Sequence, residues 1–208
     1  MVYYKYKGQE GTVLLQSIQI RRNIVQRIKK ISIANAQGKA KELLEDTKKT
    51  MGTELNLFSA FANSPAALEA YIGIMTSLSK GALNPKLREQ IALVSAGYND
   101  CNYCASAHTY LGEKAGINKD ELKANLSGKS SDKKTQVALN FATQLIECRG
   151  SVGEFDIKAV REAGFSDEEM VEILAHVAMN TFTNYFNEAF KTDIDFPVVD
   201  THKGRNVA

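Results

Sequence analysis

Two of the three prolines in this 208-residue chain stand where helices begin. In Asn63-Ser64-Pro65 and Asn84-Pro85 a short polar side chain comes just before proline. Proline's missing N–H and fixed φ suit the first turn of a helix. A third start is the capping box Ser166-Asp167-Glu168-Glu169, with serine at the N-cap and glutamate three residues on. Between these marks the apolar residues recur at helical spacing, and alternating β-branched runs are nearly absent. The pattern predicts an all-α chain.

The expected helices follow in order. Residues 36–51 are charged and amphipathic, with Leu43 and Leu44 among lysines and glutamates; Lys39 to Lys49 reads as a solvated face. The helix opened by Pro65 carries Leu68, Tyr71, Ile72, Met75 and Leu78 and closes at Gly81. The helix opened by Pro85 runs through Leu87, Ile91 and Val94 to about Tyr98, where Asn99-Asp100 breaks it and caps the next. That next helix carries two cysteines and ends near Gly116. A short helix over 119–126 precedes a polar loop, then an apolar stripe of Val137, Phe141, Leu145 and Cys148. Another short helix spans 153–164, and a long one runs from Met170 to about Ala189 before an extended tail around Pro197.

The totals narrow the function. A net charge of +2 does not suggest a nucleic-acid binder. No apolar stretch of roughly 18 residues occurs, so a membrane span is not expected. Three cysteines, an odd number, argue against an oxidised secreted framework and for a reducing cytoplasm. Residues 1–31 are strongly basic, with Lys5, Lys7, Arg21, Arg22, Arg27, Lys29 and Lys30 against Glu10, and read as a peripheral extension ahead of a helical domain over 32–208.

The chemistry concentrates in Glu89-x11-Cys101-x2-Cys104-x3-His108. Positions 101, 104 and 108 share one helix face, and both thiols lie near the helix N-terminus, where the dipole favours thiolate. The His108 imidazole is in reach of the Cys104 sulfur, and the two sulfurs are close enough for an intrahelical disulfide. Glu89, on the preceding antiparallel helix, can reach His108 directly or through water and fix its tautomer. Redox chemistry, disulfide exchange or redox sensing, and a zinc-stabilised module using these four side chains all remain open. Cys148 reads as a buried structural cysteine, and His176, with Glu169, Glu172, Ile173, Asn180, Thr183 and Asn187, as a solvated or satisfied polar face. His202 lies in the tail with no role suggested.

The spacing, and the capped helix–break–helix order from Asn84 to Gly112, resemble the AhpD-like branch of the carboxymuconolactone decarboxylase superfamily. The run Thr183-Asn184-Tyr185-Phe186-Asn187-Glu188-Ala189 and the closing Asp195-Phe196-Pro197 are similar to its peroxidase-related members. The resemblance implies a homo-oligomeric helical bundle of antiparallel helix pairs, a trimer or hexamer. It implies a thiol-dependent peroxidase in antioxidant defence, with no cofactor beyond a redox-active Cys101–Cys104 disulfide. Cys104 would attack the hydroperoxide, His108 would deprotonate it, Glu89 would relay the proton, and Cys101 would resolve the sulfenic acid. A dithiol, or a lipoylated protein as for AhpD, would be the reductant. This chain departs from AhpD at Tyr103, where AhpD carries a further relay histidine. The superfamily's decarboxylase lacks the cysteine pair, so decarboxylation is the weaker enzymatic expectation.

Overall fold

The computed structural model describes residues 26–201. Most of the expected basic extension, and His202, lie outside the described residues. The end of that basic segment is tied to the body. The Arg27 N–H donates to Phe190 O at 2.8 Å, the Ile31 N–H donates to Ser59 O at 2.9 Å, and Lys30 pairs with Asp193 at 3.0 Å.

Among the described residues the chain is all-helical: α1 (Gly38–Met51), α2 (Asn56–Phe61), α3 (Pro65–Leu78), α4 (Pro85–Tyr98), α5 (Asn102–Lys114), α6 (Lys119–Asn125), α7 (Lys133–Glu147), α8 (Glu154–Glu162) and α9 (Asp167–Phe190). Three of the predicted caps are in place. Ser64 accepts from the Ala67 N–H, Asn84 from the Leu87 N–H, and Ser166 and Glu169 cap reciprocally. The six-residue α2 is absent from the sequence-based expectation. Its N-cap Leu55 makes no side-chain cap, so no punctuation marks it, and burial of Leu57, Phe58 and Phe61 holds it instead.

α4 is the central element, packed against α5, α6, α7 and α9. All its residues from Gln90 to Gly97 are buried, which requires partners on every side. Gly97 permits the crossing with α6: a Cβ there would lie 1.9 Å from Leu126 O. One apolar cluster joins α1, α2 and α3 to the cysteine turn through Leu44, Phe58, Phe61 and Leu68. A second fills the space between α4, α7, α8 and α9, with Ile91, Leu139, Val160 and Ile173 at its centre. Glu172 on α9 locks the turn between α3 and α4, accepting the Ala82 and Leu83 N–H groups at 2.8 and 3.0 Å. The tail after α9 returns along α5: the Val199 N–H donates to Ser106 Oγ, and the Thr201 N–H and hydroxyl donate to Asn102 Oδ1, all at 2.9 Å.

Two expectations are corrected. Cys148 is exposed, not buried. The buried side of α7 is Ala138, Leu139, Phe141, Ala142 and Leu145, and Cys148 is its C-cap, beyond the last helical turn. Of the polar stripe of α9, read as solvated or satisfied, His176, Asn180, Thr183 and Asn187 are buried, not solvated, and are only partly satisfied; Asn184 beside them is buried too. That face packs on α4 and α5, so its polarity lines the interior.

Candidate active site at the cysteine turn

The turn between α4 and α5 sets the two sulfurs apart chemically. Asp100 takes the left-handed conformation (φ 54°), so it is not the extended residue that caps α5. That role falls to Cys101 (φ −91°, ψ 96°), one residue later than the sequence suggests. Its sulfur accepts the Cys104 N–H at 3.3 Å, and its thiol donates to Cys104 Sγ at 2.7 Å. Cys104 is therefore the third residue of the helix and lies within the positive end of its dipole.

Both cysteines are unoxidised and buried, Cys104 with 3% of its surface exposed. Burial pushes the Cys104 thiol up. The Cys101 hydrogen bond, the His108 charge, and the amides of Asn187 and Asn184 outweigh it and bring the group down to about 7. Cys101 goes the other way: its bond to Cys104, then burial, hold it firmly as the thiol. The asymmetry is what a nucleophile and a resolving thiol require.

His108 and Glu89 meet directly, Nδ1 to Oε2, at 2.7 Å. Burial disfavours the imidazolium, but the Glu89 charge, the hydrogen bond and the Cys104 sulfur raise its pKa above the ordinary value. Glu89 fixes the Nδ1–H tautomer and leaves Nε2 to exchange protons. All four residues predicted from spacing are thus gathered at the α4–α5 hairpin.

Spacing alone missed the α9 contribution. Asn187 Nδ2 donates to Cys104 Sγ at 3.3 Å, and Asn99 orients Asn184 through a 2.9 Å bond to its Oδ1. The signal was present as a polar stripe at helical spacing, but the sequence does not say which neighbour faces it. His176 lies farther along this face. Burial, then the Arg88 charge, lowers its pKa to about 4, so it is neutral, and its Nε2 makes no hydrogen bond.

Tyr103 is tied to the C-terminal tail. Its hydroxyl donates to Asp195 Oδ2 at 2.7 Å, and its ring meets Phe196 edge-on at 6.0 Å. The tail is thereby fastened to α5 beside the cysteine turn. A groove of about 1490 Å³ between α4, α5, α6, α7 and this tail is lined by none of the four predicted residues. Among the described residues, no three or more His, Cys, Asp and Glu side chains are grouped to hold a metal ion.

Residues 65–147 match the carboxymuconolactone decarboxylase family. No curated protein matches the chain. Its fold is similar to the alkylhydroperoxidase AhpD core of an uncharacterised peroxidase-related protein from Ralstonia eutropha JMP134, with 22% identity and TM-score 0.75, covering 82% of this chain and 92% of that one. An uncharacterised peroxidase-related protein from Silicibacter sp. TM1040 superposes at 20% identity and TM-score 0.70, over 86% and 95% of the two chains. The debrominase Bmp8 does so at 18% identity and TM-score 0.67, over 80% and 90%.

Proposed function

We propose that this chain, an AhpD-like member of the carboxymuconolactone decarboxylase superfamily, is a thiol-dependent peroxidase that works through a Cys101–Cys104 disulfide cycle. The observation that carries this is the opposite bias on two sulfurs 2.7 Å apart, Cys104 towards thiolate and Cys101 towards thiol.

Cys104 gives its proton to His108 and attacks the terminal oxygen of a hydroperoxide. The S–O bond forms as the O–O bond breaks, sulfur loses two electrons, and the His108 imidazolium protonates the departing oxygen. Glu89 stabilises that imidazolium throughout. Cys101 then attacks the Cys104 sulfenic acid and passes its proton to the now neutral His108, which hands it to the departing hydroxyl, so that water leaves as the disulfide closes. An external dithiol, lipoylated or otherwise, returns both thiols.

Burial of Cys104 favours a small oxidant over a protein disulfide, which supports peroxide reduction above disulfide exchange. A zinc-stabilised module has less support, because among the described residues no three or more His, Cys, Asp and Glu side chains are grouped to hold a metal ion. Among the described residues no helix is long and apolar enough to cross a membrane. A reducing cytoplasm suits the free thiols. Ile74 on α3 and Val171, Leu174, Phe182 and Tyr185 on α9 are exposed apolar residues, which favours a homo-oligomer.

The test is peroxide consumption with a dithiol reductant. Cys104→Ser abolishes it. Cys101→Ser permits one oxidation per chain and stalls at the sulfenic acid. Turnover by Cys104→Ser at the wild-type rate overturns the proposal.

A further inference from the structure

The buried face of α9 offers more hydrogen-bonding capacity at Cys104 than the protein itself uses. Asn187 donates through Nδ2 to the sulfur, yet its Oδ1 is buried and accepts nothing. Asn184 Oδ1 accepts from Asn99, and its Nδ2 lies near enough to Cys104 to lower the proton affinity of the sulfur but meets hydrogen-bond geometry with no partner. Both side chains are 2% exposed or less. Buried amide groups are costly to leave unpaired, and orphaned ones beside a nucleophile mark where another polar group belongs.

We propose that Asn184 and Asn187 form the seat for the O–OH end of the substrate beside Cys104. Asn184 Nδ2 donates to the leaving oxygen, and Asn187 Oδ1 accepts the O–H of the oxygen under attack. The seat rests on the peroxidase reading and deepens it: it selects a hydroperoxide, which carries that O–H, over a dialkyl peroxide, which does not. As the sulfur–oxygen bond forms and the oxygen–oxygen bond breaks, negative charge gathers on the leaving oxygen. Asn184 faces that charge until His108 delivers the proton. A preorganised donor in a dry site stabilises such charge without reorganising. The Asn99 bond that holds Asn184 in place makes Asn99 a positioning residue.

The experiment compares two reactions of the same reduced sulfur. Oxidation by hydrogen peroxide needs the oxygen seat; alkylation by iodoacetamide needs only the thiolate. Both are followed by stopped flow or quenched mass spectrometry, above the thiolate midpoint. Asn184→Ala slows peroxide oxidation by about 10-fold or more and leaves alkylation within about 2-fold. Asn184→Leu, close to asparagine in volume, uncharged and without the donor, shows the same split if the alanine variant folds poorly. Peroxide oxidation at the wild-type rate in both variants overturns the seat, as does an equal loss of both reactions. Wild-type oxidation no faster than that of a free thiol overturns the peroxidase assignment itself, and the seat with it.

Discussion

His108 Nδ1 and Glu89 Oε2 meet at 2.7 Å across the α4–α5 hairpin, and this contact sets the ionisation of the cysteine turn. It favours the positive form of the imidazole one helical turn from Cys104, whose thiol is lowered from 9.0 to about 7. The alkylation rate of Cys104 is expected to rise with pH through a midpoint near that value, because only the thiolate reacts. His108→Gln removes the positive charge, so the midpoint moves up, and peroxide turnover falls by about 100-fold. Thiolate absorbance against pH reads the first effect and stopped flow the second. An unmoved midpoint in His108→Gln removes the histidine from the mechanism.

Glu89→Gln acts in the opposite direction on the histidine. Without the carboxylate, burial prevails and the His108 pKa drops. The alkaline limb of the peroxidase profile then shifts to lower pH, and turnover falls by about 10-fold or more, as for other groups that orient a catalytic side chain. Histidine titration by NMR in the reduced protein measures the shift.

His176 makes stability depend on acid. Its folded-state pKa is lowered from 6.5 to about 4. Between those values the unfolded chain binds a proton that the folded protein does not, so stability falls as pH drops through the window and levels off below it. His176→Gln, which cannot titrate, should flatten this limb in urea midpoints taken across the same range. An equally steep limb in the variant assigns the acid sensitivity elsewhere.

Gly97 and Gly73 separate two uses of helical glycine. A Cβ at Gly97 meets Leu126 O, a backbone atom, at 1.9 Å, whereas one at Gly73 meets nothing within 4 Å. Gly97→Ala is expected to destabilise by on the order of 3 kcal/mol through forced separation of α4 and α6. Gly73→Ala should stabilise by about 0.4–1 kcal/mol by reducing the freedom of the unfolded chain. Paired denaturant titrations check both signs.

Tyr103 fastens the C-terminal tail to the cysteine helix through Asp195, which also accepts the Asn56 N–H at 2.9 Å. Tyr103→Phe is expected to cost about 1–3 kcal/mol, as for a hydrogen bond to a charged group. Amide exchange over 195–201 should speed up, with the thiolate midpoint unchanged. A shifted midpoint instead ties Tyr103 to the sulfurs.

Helix starts were legible at Ser64, Asn84 and Ser166, where a side chain caps the backbone, because a cap is a local interaction. α2 was not legible, since packing of Phe58 and Phe61 holds it without any local signal. At the site, the spacing from Cys101 to His108 put three residues on one face, and Glu89 followed from the preceding helix. The Cys148 expectation failed for a physical reason: apolar periodicity was extended one step past the helix end, where the chain turns into solvent.

The sequence by itself determined the helical class, most helix starts and the four-residue constellation of Glu89, Cys101, Cys104 and His108. These rest on capping, periodicity and short spacing, which act within a turn or two of the chain. Only the tertiary structure decided that Cys101 rather than Asp100 caps α5, and that α9 turns Asn184 and Asn187 onto Cys104. The first turns on the backbone conformation of one residue at the break, and the second on residues more than eighty positions apart in the chain brought into a common buried space, which no local pattern records.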